Sequence, residues 1–143
     1  MRLVLDTDVM VAALRSDRGA SRQLLLAALE REVVMLVSVP LMIEYEAVLK
    51  RPEHLDVIGV TSDEIDTVLD ALASVIEPVQ LRFLWRPTLK DPSDEMVLET
   101  AVNGRADRLV TFNLRHLGQA AREFGMSADI PGAIWREIRG TGT

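Results

Sequence analysis

The chain of 143 residues contains no cysteine, which excludes a disulfide framework, a zinc knuckle and a thiol nucleophile. Histidine occurs twice, at His54 and His116, with no ligand-like spacing, so surface or outer-shell roles are the expectation for both. Ser38 and Ser93 lie outside any G-x-S-x-G elbow, and no glycine-rich phosphate loop is present. Long apolar runs are missing too. Val33 to Val37 is among the longest, far short of the roughly 20 residues that a membrane-spanning helix requires. The opening MRLVLDTDV has no basic segment followed by a long apolar stretch, so a cytoplasmic protein with no membrane partner is expected.

What is present describes a globular protein. Hydrophobic residues make up 48% and charged residues 27%, with a mean hydropathy of +0.15, and residues 1–143 are read as a single domain. A chain of about this size hides roughly 70% of its unfolded surface, so its core suffices without a structural metal. Sixteen basic against 22 acidic residues give a net charge of −6, which argues against binding nucleic acid through a broad basic face. An acidic cluster that captures divalent cations still receives a phosphate, because the ions invert the local field. Where the carboxylates sit therefore decides more than their sum.

Strand and helix signals alternate along the chain. Arg2 to Leu5 reads as a buried strand ending at Asp6 and Asp8, followed by a helix over Val9 to Leu14. Ser21 is a candidate cap for a helix through Leu24, Leu25, Ala28 and Leu29. Val33 to Val37 is a second strand, and Pro40 opens a helix carrying Glu44, with Ile43, Val48 and Leu49 as apolar positions. Periodicity fails from Arg51 to Val60, where Pro52 and Gly59 act as breakers. Thr61 and Glu64 then form a capping-box pattern ahead of an apolar stripe from Ile65 to Ile76. A short strand is expected near Val79 to Leu81, then a basic connector from Arg82 to Lys90. Asp91-Pro92 opens a helix that stops at Gly104. Arg108 to Phe112 is a further strand, a helix through Leu117 and Phe124 follows it, and Ala128 to Ile130 with Pro131 gives a last strand and helix. This alternation predicts an α/β three-layer sandwich, with a parallel sheet covered on both faces.

In such sheets ligands bind beyond the carboxyl ends of the strands, and there this chain places acids: Asp6, Asp8, Glu44, Asp91 and Asp94, with Asn113 after the later strand. Carboxylates at close quarters repel one another unless cations neutralise them. Without Cys or spaced His ligands, the hard oxygen donors point to Mg²⁺ or Mn²⁺ and to metal-assisted phosphoryl transfer. Each acid also has a plainer reading. Asp6 and Asp8 fit a strand-to-helix turn with a cap at Thr7 or Asp8 equally well. Glu44 beside Glu46 reads more readily as a solvated face, and Asp91 as the N-cap before Pro92, with Asp94 at N3 complementing the helix dipole. Asn113 suits an N-cap as well. Arg15, Arg18, Arg82, Arg86, Lys90 and Arg115 lie in or beside connectors and are candidates for a basic rim, against a default of solvated surface charge.

Four segments in order carry a resemblance: LVLDTDVMVAAL, VSVPLMIEYEAVLKRP, DPSDEMVLETAVNGRADRLVTFNLRHL and IPGAIWREI. Together they resemble the PIN domain family of metal-dependent nucleases, especially its toxin-like branch, over nearly the whole chain. The resemblance implies that Asp6, Glu44 and Asp94 are the metal-binding acids. At the family's fourth acidic position stands Asn113, which supplies a carbonyl oxygen without charge, and Asp8 stands where the family commonly has Asn and adds a compensating carboxylate. It further implies an endoribonuclease that cuts single-stranded RNA with two metal ions, blocked by a small antitoxin protein and often homodimeric. Two other readings compete. Asp6-Thr7-Asp8 also looks like the start of a haloacid-dehalogenase-type phosphatase, with Asp6 as nucleophile and Ser38 and Lys90 as partners. Asn113 alternatively marks a PIN-like module with an impaired site that only binds RNA or an antitoxin.

Overall fold

A computed structural model describes residues 1–82 and 91–141. The basic connector around Arg86 and Lys90, which the sequence offered for the rim, lies outside the described residues. Five short strands form one parallel sheet: β1 (Arg2–Leu5), β2 (Val34–Val37), β3 (Glu77–Pro78), β4 (Arg108–Val110) and β5 (Ala128–Asp129), in the order β3-β2-β1-β4-β5. The helices are α1 (Thr7–Arg15), α2 (Ala20–Leu29), α3 (Val39–Leu49), α4 (Pro52–Ile58), α5 (Ser62–Ala73), α6 (Pro92–Asn103), α7 (Gln119–Glu123) and α8 (Pro131–Thr141). This is the three-layer α/β sandwich with a parallel sheet that the alternation predicts.

The core explains why the strands read as continuous apolar runs. Leu3, Val4, Leu5, Met35, Leu36, Leu109 and Val110 are all buried, because helices cover both faces of a parallel sheet. Tyr45, fully buried on α3, donates from its hydroxyl to the Leu5 carbonyl at 2.5 Å, satisfying its polar end inside the core. Among the described residues no helix is long and apolar enough to cross a membrane.

Several local expectations need correction. Asp6 itself caps α1, accepting from the Thr7 N–H at 2.7 Å, so the helix starts before Val9. Ser21 is not a cap; α2 starts at Ala20 after Gly19, and Ser21 is buried within it. Pro52 does not break the chain but opens α4 at its first helical position, where a missing N–H costs nothing. Gly59 then ends that helix in the left-handed region at φ 79°, donating to the Leu55 carbonyl at 2.8 Å. Ile43 points to solvent rather than into the core. The expected strand at Val79 to Leu81 forms two residues earlier, at Glu77–Pro78, where β2 offers its free edge. The helix after β4 begins as a single π turn over Leu114–Gly118 before α7. The capping box of Thr61 and Glu64 and the cap at Asp91 form as read.

Candidate active site

Parallel register delivers the site. Leu5 pairs with Val110 across β1 and β4, so the next residues on each strand, Asp6 and Thr111, emerge side by side at the carboxyl edge. Thr111 Oγ1 donates to Asp6 Oδ2 at 2.6 Å, while Thr7 N–H donates to Oδ1. The same Thr111 oxygen accepts from the Asn113 N–H at 2.9 Å. Asp6 is therefore fixed from both sides and only 6% exposed.

In the first turn of α1, Asp8 accepts from the Phe112 N–H through Oδ2 at 3.3 Å. Its other oxygen, Oδ1, is buried without a hydrogen-bond partner, as is Thr7 Oγ1. Leaving such a group unpaired costs about 1–3 kcal/mol, so both atoms call for a ligand. Asp94, at N3 of α6, faces them and accepts from Asn113 Nδ2 at 3.3 Å. Asn113 Oδ1 meanwhile accepts from the His116 N–H and caps the π turn. The amide thus turns its NH₂ towards Asp94, whereas the resemblance had it offering its carbonyl oxygen inward. On the opposite side Glu44 of α3 accepts from Ser93 Oγ at 2.7 Å.

All five predicted residues, Asp6, Asp8, Glu44, Asp94 and Asn113, line one open pocket of about 650 Å³ together with Asp91. Burial and mutual repulsion raise the carboxyl pKa values. Asp6 is pushed up to about 7, first by burial and then by the charge of Asp8, against the opposing hydrogen bonds from Thr111 and Thr7. Burial likewise raises Asp8, with Asp94 adding repulsion. Asp94 rises to about 6 through burial and the charges of Asp6 and Asp91, offset in part by His116. Fully buried Tyr45 is held well above its usual range by desolvation and by Asp6.

This donor set fits a hard divalent cation: it is oxygen-only, carries excess negative charge and leaves an acceptor atom unpaired. Among the described residues no three His, Cys, Asp or Glu side chains are arranged to ligate one ion between them. A Mg²⁺ ion needs fewer, since it is ordinarily held by one or two carboxylates and keeps several waters.

Sequence reasoning missed several members of the site. Thr111 and Ser93 position acids, and only strand register and helix phase bring them there. Arg51 and His54 line the pocket beside Arg15, hidden by the failure to read α4. His116 lies near enough to Asp94 to favour its charge. Arg18, Arg82 and Arg115 do not line the pocket, and Arg82 lies against a separate cavity near Glu77. Ser38, needed beside Asp6 by a dehalogenase-type phosphatase, is instead 1% exposed and bonded to Thr100 Oγ1 at 2.7 Å.

A family model described as the PIN domain matches residues 2–115. The chain belongs to the PIN domain family. Members of that family are generally nucleases that hydrolyse phosphodiester bonds and usually use divalent metal ions. No curated protein matches the chain significantly. Among solved structures, a chain in the crystal structure of VapBC2 from Rickettsia felis bound to a DNA fragment from their promoter is similar. The two share 17% identity and a TM-score of 0.57, over 91% of this chain and 98% of that one, a likeness of fold. The PIN model ends at residue 115, so it takes in every acid of the pocket and Asn113.

Proposed function

We propose that this PIN domain is a divalent-metal-dependent endoribonuclease that hydrolyses single-stranded RNA, and that it serves as the toxin of a toxin–antitoxin pair. The observation that carries the nuclease reading is the convergence of Asp6, Asp8 and Asp94 in one pocket, with a buried Asp8 oxygen left unpaired. Family membership supports phosphodiester hydrolysis, and the fold likeness to a chain of VapBC2 supports a small antitoxin partner. Such a partner would cover the acidic pocket, and a homodimer belongs to the same reading.

Asp6, Asp8, Asp94 and Glu44 are the carboxylates that would hold Mg²⁺ or Mn²⁺, one or two of them to an ion, with water completing its shell. When bound, the ion neutralises the carboxylates and stabilises the charge that develops on the phosphoryl and leaving oxygens. The chain supplies the rest. Thr7 and Thr111 lock Asp6 in one orientation, Ser93 holds Glu44, and Asn113 steadies Asp94 without adding charge. Asp8 Oδ1, free of other hydrogen bonds, is the acceptor to which an incoming water gives a hydrogen bond.

Incubating the protein with a panel of single-stranded RNAs in Mg²⁺, Mn²⁺ or EDTA tests the reading. Cleavage is expected with metal, none in EDTA, and a loss of about 100-fold or more in Asp6→Asn and in Asp94→Asn. Cleavage that survives EDTA or both substitutions overturns it. Folded, antitoxin-free protein that cleaves nothing with either metal, while Asn113→Asp does, marks an impaired binding module instead.

A further inference from the structure

Opposite charges line the pocket without pairing. Arg15, Arg51 and His54 share it with the acids, yet none of the three has an ion-pair partner among the described residues. Arg2, Arg22 and Arg108 pair with Glu77, Asp17 and Glu137, whereas Arg15 and Arg51, like most of the described arginines, form no ion pair. Helix geometry explains the separation. On α1 the pocket-lining residues are Thr7, Asp8, Val11, Ala12 and Arg15, the last four spaced i, i+3, i+4 and i+7 on one face. From α3 into the turn they are Glu44, Val48 and Arg51, again i, i+4 and i+7. On α1 seven helical residues rise about 10 Å, so Asp8 and Arg15 stand two turns apart, while Arg51 lies just past the end of α3 from Glu44, with Val11, Ala12 and Val48 as apolar lining between the acids and the arginines. His54, in the first turn of α4, joins the basic end.

We propose that Arg15, Arg51 and His54 form a phosphate-holding wall for single-stranded RNA, placing the strand across the apolar lining so that a neighbouring phosphodiester lies over the carboxylates. This rests on the nuclease reading and adds which residues position the substrate and in which direction the strand runs: from the α1 and α3 acids towards the ends of those helices. The net charge of −6 makes a local anchor necessary, because the protein as a whole repels a polyanion. All three are positioning residues. Arg15 and Arg51 are exposed, and their side chains make no hydrogen bond or ion pair among the described residues, so a change to Gln leaves the backbone bonds of both in place.

The test compares the protein with Arg15→Gln, Arg51→Gln, the double variant and, as a control outside the pocket, Arg122→Gln. Binding is read with a non-cleavable 2′-O-methyl single-stranded oligoribonucleotide across a salt series. Each lost phosphate contact should flatten the log Kd against log salt slope by about 0.7, and the double variant by about 1.4. With a cleavable oligonucleotide KM should rise about 10-fold at nearly constant kcat, as for lost uniform binding. A dinucleotide, too short to reach the wall, should be cleaved equally by all variants. An unchanged slope and KM in the double variant, or equal losses on dinucleotide and oligonucleotide, overturns the wall while RNA cleavage by the parent protein leaves the nuclease reading intact. An arginine-dependent slope in a protein that cleaves no RNA does the converse.

Discussion

Asp6, Asp8 and Asp94 repel one another in a half-dry pocket, and the free protein is expected to register that strain as a dependence of stability on pH. Asp6 and Asp94 bind protons more tightly when folded, near 7 and 6, than an ordinary aspartate at 3.8. Their favourable contribution is therefore complete below pH 3.8 and is lost as pH rises through 6 to 7. In EDTA, Asp94→Asn should be more stable than the parent at pH 8 by about 1 kcal/mol, a figure discounted because Asp94 is partly exposed. At pH 5 the difference should shrink. Urea unfolding of both proteins at both values checks this, and an advantage over the parent no larger at pH 8 than at pH 5 counts against the repulsion. Asn113→Asp works in the opposite direction. It removes the donor to Asp94 and adds a carboxylate, so the apo protein should lose about 1 kcal/mol while its stabilisation by Mn²⁺ grows. Melting curves with and without the ion read both effects.

Helices and strands show where local signals suffice. Thr61 and Glu64 cap α5 as a box because every group involved lies within four residues, and Thr61→Ala should cost about 1 kcal/mol in urea unfolding with cleavage unchanged. Gly104 is constrained by distant packing instead. A Cβ there would meet Val79 Cγ2 at 2.8 Å and the Thr100 carbonyl at 2.9 Å, so Gly104→Ala should destabilise the protein by about 1–3 kcal/mol, again by urea unfolding. The same contrast governs how much could be read from sequence. The parallel sheet, the caps at Asp91 and Thr61 and the gathering of acids after strands were legible from runs, spacing and position. α4 was not, since a seven-residue helix opening on Pro52 and closing on Gly59 has the composition of a turn. Nor was the orientation of Asn113, whose amide is set by a π turn and by Asp94 across the pocket. Thr111 and Ser93 were legible as residues but not as partners, because Thr111 lies 105 residues from Asp6 and Ser93 lies 49 from Glu44.

For the molecule as a whole, the acidic pocket is a store of unfavourable energy that the cation of the proposed reading would release. Saturating Mn²⁺ or Mg²⁺ at 100 times its Kd should stabilise the fold by about 2.7 kcal/mol. For a chain of this length that is a rise in Tm of about 5–10 °C, absent in Asp6→Asn, and thermal melts in metal and in EDTA measure it. An equal rise in Asp6→Asn would place the ion elsewhere. Sheet order has a different consequence. β1, the first strand in the chain, lies at the centre of the sheet, and its neighbour β4 begins only at Arg108. Asp6 likewise waits for Thr111 to fix its carboxylate. During synthesis the first acid emerges from the ribosome long before the residue that holds it, so a partly made chain carries every piece of the pocket through Asp94 yet no assembled site. Any hydrolytic activity is deferred until β4 and Thr111 have been translated, by topology alone and without a dedicated inhibitor.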